Sequence, residues 1–130
     1  MNREIKFRGK RIEGNEWFYG LLYKSNEDYY IQVEGGLNSP DYYMVRTETV
    51  GQFTGLLDKN GKEIFEGDLT QSNSMIRKIE WFNNGYWSVS LNGSSKFPIT
   101  FFGSARQLEI EEIIGNVIDN PELIKVTCKH

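Results

Sequence analysis

The stretch Leu56–Phe65, LLDKNGKEIF, constrains this chain more than any other. Asn60-Gly61 is a favoured pair for a tight turn that needs positive φ. Apolar pairs flank it on both sides, Leu56-Leu57 before and Ile64-Phe65 after. Two strands reversing at Asn60-Gly61 are therefore predicted. Similar punctuation recurs at Gly14-Asn15, Asn84-Gly85 and Asn92-Gly93, with aromatic-rich runs between. Aromatics make up 14% of the 130 residues, while Ala105 is the single alanine. Alanine favours helices, and β-branched and aromatic residues favour strands. A helical bundle is excluded, and the apolar content suffices for a core, which argues against disorder.

Period-two patterns place the strands. In Arg3–Arg8, Ile5 and Phe7 point one way and Glu4, Lys6 and Arg8 the other. Gly9–Asn15 reads as a loop. Glu16–Lys24 is a second strand, with Gly20 as a bulge or close packing point. Tyr29–Glu34 is a third. Gly35–Asp41 is a loop, and Tyr42–Arg46 and Val50–Leu57 are extended again. Gly67-Asp68 breaks the strand after Phe65. Met75–Phe82 needs a bulge, or burial on both faces, to accommodate Ile76 and Ile79. Tyr86–Leu91 sets Trp87, Val89 and Leu91 on one side. Phe97–Phe102 is a further strand. Gln107–Ile118, apolar on both sides of Gly115, reads as a central buried strand. Asn120-Pro121 starts a short helix, Asn120 as cap and Pro121 in the first turn.

No helix lies between strands, so parallel βαβ units are excluded. The expected fold class is all-β, mainly antiparallel. We expect a small barrel with additional N-terminal strands and a short C-terminal helix. One domain over 1–130 is expected, with an N-terminal strand subregion, 1–57, packed on a barrel, 58–120. Nothing approaches the roughly 20 apolar residues of a membrane-spanning helix, and no signal peptide is visible. A soluble cytoplasmic protein without a membrane partner is expected.

The residues for most catalytic chemistry are missing. The lone Cys128 and His130 rule out a zinc site and a histidine-based triad, and Cys128 has no internal disulfide partner. No metal or other cofactor is expected. Asp58–Leu69 fails as a calcium loop, because Gly61 falls at the fourth position and Leu69 stands where a glutamate should. Gly55 and Gly61-Lys62 fail as a phosphate loop, since a strand follows. Glu66 and Asp68 share a strand face by spacing, and Glu109, Glu111 and Glu112 cluster. Such carboxylates usually line exposed faces. A hydrolase using Glu66 or Asp68 is the least favoured reading.

The most suggestive set is basic and aromatic. Lys6, Arg8, Lys10 and Arg11 precede Trp17 and Tyr19. A small β-barrel that sets cations beside exposed aromatics can hold single-stranded nucleic acid. The plainer reading puts the charges on the outer face of an edge strand, where they oppose aggregation. Lys+Arg is 15 and Asp+Glu 18, for a net charge of −3, so no globally basic binder is indicated.

GQFTGLLDKNGKEIFEGD at Gly51–Asp68 strongly resembles the core run of the YopX family of bacteriophage and prophage proteins. REIKFRGKR at the start and IIGNVIDNPELI near the end resemble the family's opening and closing segments. GNEWFYGLL resembles a subgroup with a Gly-x-Trp strand. Gln71–Ser104 matches loosely. The resemblance implies a phage-derived cytoplasmic protein, mostly antiparallel around a small SH3-like barrel. It carries over no catalytic residue. Asn60, Gly61, Gly67, Asp68, Gly115, Asn116 and Pro121 read as determinants of turns and strand ends. The leading expectation is a non-catalytic interaction module with a protein partner, self-association included. Nucleic-acid binding through Lys6, Arg8, Lys10, Arg11 and Trp17 is the alternative.

Overall fold

A computed structural model describes residues 5–33, 41–72, 75–82, 85–91, 96–98, 106–107 and 111–127. The strands are β1 (Phe7–Lys10), β2 (Trp17–Ser25), β3 (Asp28–Val33), β4 (Asp41–Val45), β5 (Gly51–Leu57), β6 (Glu63–Phe65) and β7 (Asp68–Ser72). They continue as β8 (Met75–Phe82), β9 (Gly85–Ser90), β10 (Lys96–Pro98), β11 (Arg106–Gln107) and β12 (Glu112–Asn116). One helix, α1 (Pro121–Thr127), follows, and a 3-10 turn at Thr47–Thr49 precedes β5. The fold is all-β and mainly antiparallel, as the composition demands. The described residues fall into two compact units, one within Glu4–Phe53 and one within Thr54–His130.

In the first unit β1 lies between β2 and the start of β5, and β2, β3 and β4 follow in order. Each pairing is antiparallel. The expected first strand is therefore displaced. It runs through Gly9 and Lys10, which read as loop, and it is paired on both sides rather than at an edge. Beyond β1 the chain reaches β4. Arg11 bridges Val45, Ile12 N–H donates to the Met44 carbonyl, and Arg46 N–H donates to that of Lys10. Thr49 holds the same corner, accepting from Lys10 N–H at 2.8 Å and donating to the Arg46 carbonyl at 2.6 Å. Ile31 and Val45 are buried, and Phe18 stacks on Tyr43 with ring centroids 4.1 Å apart. Burial of an aliphatic side chain of this size stabilises by roughly 1.5–3 kcal/mol.

Gly20 shows why β2 needs a glycine. A Cβ there would overlap the Gln32 backbone carbonyl on β3. The expected close packing point is present.

In the second unit five strands run in the order β10-β9-β8-β7-β12, all antiparallel. The end of β5 pairs with β6, and in parallel with β11. Leu56, Ile64, Ile79 and Tyr86 form a buried cluster, with Ile113 packed against it. No ladder among the described residues joins β10 to β12, so the expected SH3-like barrel does not close here. β12 ends the sheet path instead of lying at its centre. The single residues that pair across β8 and β9 run without a break from Arg77↔Ser90 to Phe82↔Gly85, so no bulge is needed. From Ile76 to Glu80 both faces of β8 are half-buried or buried, which accommodates Ile76 and Ile79.

The predicted reversal at Asn60-Gly61 is present, with Gly61 at φ +85°. The Gly35–Pro40 loop, Asn83-Asn84, Asn92-Gly93, Ile99–Phe102, Glu109, Cys128 and His130 lie outside the described residues. No helix among the described residues is long and apolar enough to cross a membrane.

Candidate functional site

Alternation divides the first unit's sheet into two faces. Phe18, Ile31, Tyr43 and Val45 share the inner one. Lys6, Arg8 and Lys10 share the other with Trp17, Tyr19, Leu21 and Tyr23 of β2, Tyr30 of β3, and Tyr42 and Met44 of β4. The register fixes this, since Lys10 opposes Trp17 and Arg8 opposes Tyr19. Along β2 and β3, Leu21 opposes Gln32 and Tyr23 opposes Tyr30.

The basic strand does not project its charges into solvent. Arg8 and Lys10 are only 7% and 8% exposed. The Arg8 guanidinium lies 4.8 Å, and the Lys10 ammonium 5.8 Å, from the centre of the Trp17 ring. Lys6 is half-buried with its ammonium 5.7 Å from the Phe53 ring centre. Arg11 is exposed, 6.0 Å from the Tyr43 ring centre and 3.3 Å from the Glu16 carboxylate. The structure thus brings Arg8, Lys10 and Trp17 together. The cations serve aromatic rings of their own sheet, a cation–π arrangement that sequence spacing alone conceals.

The exposed part of this face lies farther along. Tyr19, Leu21, Tyr23 and Tyr42 are 47%, 47%, 50% and 47% exposed. Tyr23 meets Tyr42 with ring centroids 5.3 Å apart and Tyr30 at 6.1 Å. Of these four, the sequence pattern singles out Tyr19, beside the basic set, but not Leu21, Tyr23 or Tyr42. The signal was available, because EWFYGLLYK is apolar at both phases, so one apolar phase had to face outward.

A second group is polar and buried. On β9 the buried residues are Tyr86, Ser88 and Ser90, so Trp87 and Val89 occupy the less buried side. Glu111 is 2% exposed and accepts from the Thr70 hydroxyl at 2.6 Å and the Ser88 hydroxyl at 3.4 Å. Arg77 is buried beside them, and its Nη1 donates to the Ser88 carbonyl at 3.3 Å. The expectation of a solvated carboxylate at Glu111 is corrected. Its hydroxyl partners, Thr70 and Ser88, are themselves fully buried and let it sit inside the unit.

The motif residues sit at turns and strand ends. Asp58 is fully buried. Its Oδ1 accepts from the N–H groups of Asn60 and Lys62 at 2.8 and 2.9 Å, and its Oδ2 from that of Ile113 at 3.0 Å. Burial pushes its pKa up. The amide donors of Ile113, Lys62 and Asn60, with the Lys62 charge, outweigh that and hold it below its ordinary 3.8. Asn60 also reaches Glu112, its amide Nδ2 donating to Oε2 at 3.5 Å. Glu66 falls in the turn before Asp68, not on a shared strand face. Asp68 is buried and accepts from Phe65 N–H at 2.8 Å, and Gly67 has φ +94°. A carboxylate held by the backbone in this way is a structural acceptor.

Gly115 marks the irregularity where β12 meets β7, against the Asn120 side chain. Asn116 Oδ1 accepts from Ile118 and Asp119 N–H at 3.0 and 2.8 Å. Asn120 does not cap the helix with its side chain as expected. Its Oδ1 accepts from Asn116 N–H at 3.1 Å, which ties β12 to the entry of α1, and Pro121 opens the helix. Among the described residues no group of three or more His, Cys, Asp or Glu side chains is placed to hold a metal ion.

The family model described as YopX protein matches residues 6–125. This chain belongs to the YopX family. The match takes in every motif residue above and the whole aromatic face. In this YopX chain the core run Gly51–Asp68 therefore builds the buried β5–β7 corner, while the exposed side chains come from the preceding strands. No curated protein matches the chain.

Proposed function

We propose that this YopX protein is a non-catalytic interaction module of phage or prophage origin that binds a protein partner in the cytoplasm of a bacterial host. The observation that carries this reading is the exposed set Tyr19, Leu21, Tyr23 and Tyr42 on one sheet face. Contiguous apolar side chains of this size are rarely left in water without a use, and tyrosine is enriched where proteins meet. The burial of Arg8 and Lys10 against Trp17 favours a protein over the alternative, a nucleic acid held by Lys6, Arg8, Lys10, Arg11 and Trp17. The sequence pI of about 5.2 weighs the same way.

Affinity capture from a nuclease-treated host lysate tests the reading. The wild type is compared with a triple variant, Tyr19→Ser, Leu21→Ser, Tyr42→Ser. Proteins retained by the wild type and lost with the variant are the expected result. An unchanged set, or retention seen only when the nuclease is omitted, overturns it.

A further inference from the structure

Several aromatic rings of the first unit are covered by its own cations. Lys6 lies over Phe53, Arg8 and Lys10 over Trp17, Arg11 over Tyr43 and Lys24 over Tyr29. Tyr23, Tyr30 and Tyr42 are different. Their rings contact one another at 5.3 and 6.1 Å, and no described lysine or arginine lies over them. By strand alternation, this face of β2, β3 and β4 carries a single charged residue, Asp28, exposed two positions before Tyr30. Lys24, the nearest cation in the hairpin, takes the opposite phase and is spent on Tyr29.

We infer that Tyr23, Tyr30, Tyr42 and Asp28 form a docking surface for an arginine-bearing segment of a partner protein. The inference rests on the protein-partner reading above and adds the chemistry of the ligand. Ring faces carry the negative end of the aromatic quadrupole and attract a guanidinium, which also stacks flat on tyrosine. Asp28 supplies the one formal charge, and it is complementary. The net charge of −3 steers a cationic partner toward the chain rather than away. Asp28 repels a phosphate backbone, which disfavours single-stranded nucleic acid at this end of the face. Two copies of the chain would bring like charge together.

The test titrates a labelled peptide of alternating arginine and glycine against the full chain. A twin peptide carries citrulline, arginine's neutral isostere. Tyr23→Leu with Tyr42→Leu keeps apolar bulk and removes the rings. Asp28→Asn removes the charge. The expected result is binding of the arginine peptide, weaker by about fivefold or more for the citrulline twin and for the double leucine variant. Asp28→Asn should weaken it about twofold. Unchanged melting of these surface variants verifies the fold. Equal binding of the two peptides, both lost in the leucine variant, overturns the cation inference and leaves the protein-partner reading standing. Binding of neither peptide overturns it too, while lysate capture judges the broader reading separately. Oligothymidylate binding lost in the leucine variant would assign the face to nucleic acid. Sedimentation that shows dimers, lost in the same variant, would assign it to a second copy.

Discussion

Asp58 organises the tightest corner of the chain with three backbone amide donors on one buried carboxylate. A buried donor left without its acceptor costs the full desolvation of that group, so Asp58→Ala should destabilise by about 3 kcal/mol or more. Asp58→Asn should lose less, because one acceptor oxygen remains. The pH dependence has a definite sign. The folded pKa is depressed below the ordinary 3.8, so folding favours the ionised form. The resulting stability is fully present above about pH 4 and is lost as the pH falls through the folded pKa. Melting curves of wild type and Asp58→Asn should therefore differ most near neutrality and converge in acid. A gap that stays constant to low pH would contradict the assignment. Gly61 argues from backbone alone. A Cβ there meets nothing within 4 Å, but φ is +85°. Gly61→Val should thus cost about 1 kcal/mol or more through strain, measurable in denaturant unfolding, while Gly61→Asn should be milder.

At the scale of elements, Gly20 is the sharpest case. The sequence marks it only as a glycine inside an apolar strand. The structure sets its α-carbon against the Gln32 carbonyl, where any side chain forces β2 and β3 apart. Gly20→Val should destabilise by more than about 2 kcal/mol and lower the expression of folded protein, read by circular dichroism and thermal melting. Near-wild-type melting would show that Gly20 does not approach the Gln32 carbonyl as described. Turn chemistry made such positions legible, because Asn-Gly pairs and isolated strand glycines have local physical causes. The β1 boundary was not legible, since Gly9 looks like a breaker and is in fact a strand residue facing Val45. The inside of β9 was not legible either. Trp87 and Val89 are an apolar phase, yet Ser88 and Ser90 are the buried one, and Glu111 and Arg77 supply Ser88 with polar partners from distant positions. Alternation reports which residues share a face. It does not report which face is inward when both carry apolar side chains, and the exposure of Tyr23 and Tyr42 went unread for the same reason.

At the scale of the whole molecule, the boundary between the compact units falls between Phe53 and Thr54, within β5. Gly51 and Gln52 pair with β1, while Leu56 and Leu57 pair with β11. We propose that the chain is one cooperative domain, because the boundary between the units falls inside β5 rather than in a linker. Small domains of this length commonly unfold in a single transition. The tryptophans separate the two possibilities. Trp17 lies in the first unit and Trp81 and Trp87 in the second. A variant with Trp17→Phe reports the second unit by fluorescence, and one with Trp81→Phe and Trp87→Phe reports the first. Their denaturant midpoints, each referred to circular dichroism of the same variant, should coincide with it. Gly20→Val placed in the Trp17→Phe background should then shift the second unit's fluorescence midpoint as well, since a cooperative domain shares the penalty. A shift confined to the first unit's probe would establish two independently folding units joined through β5.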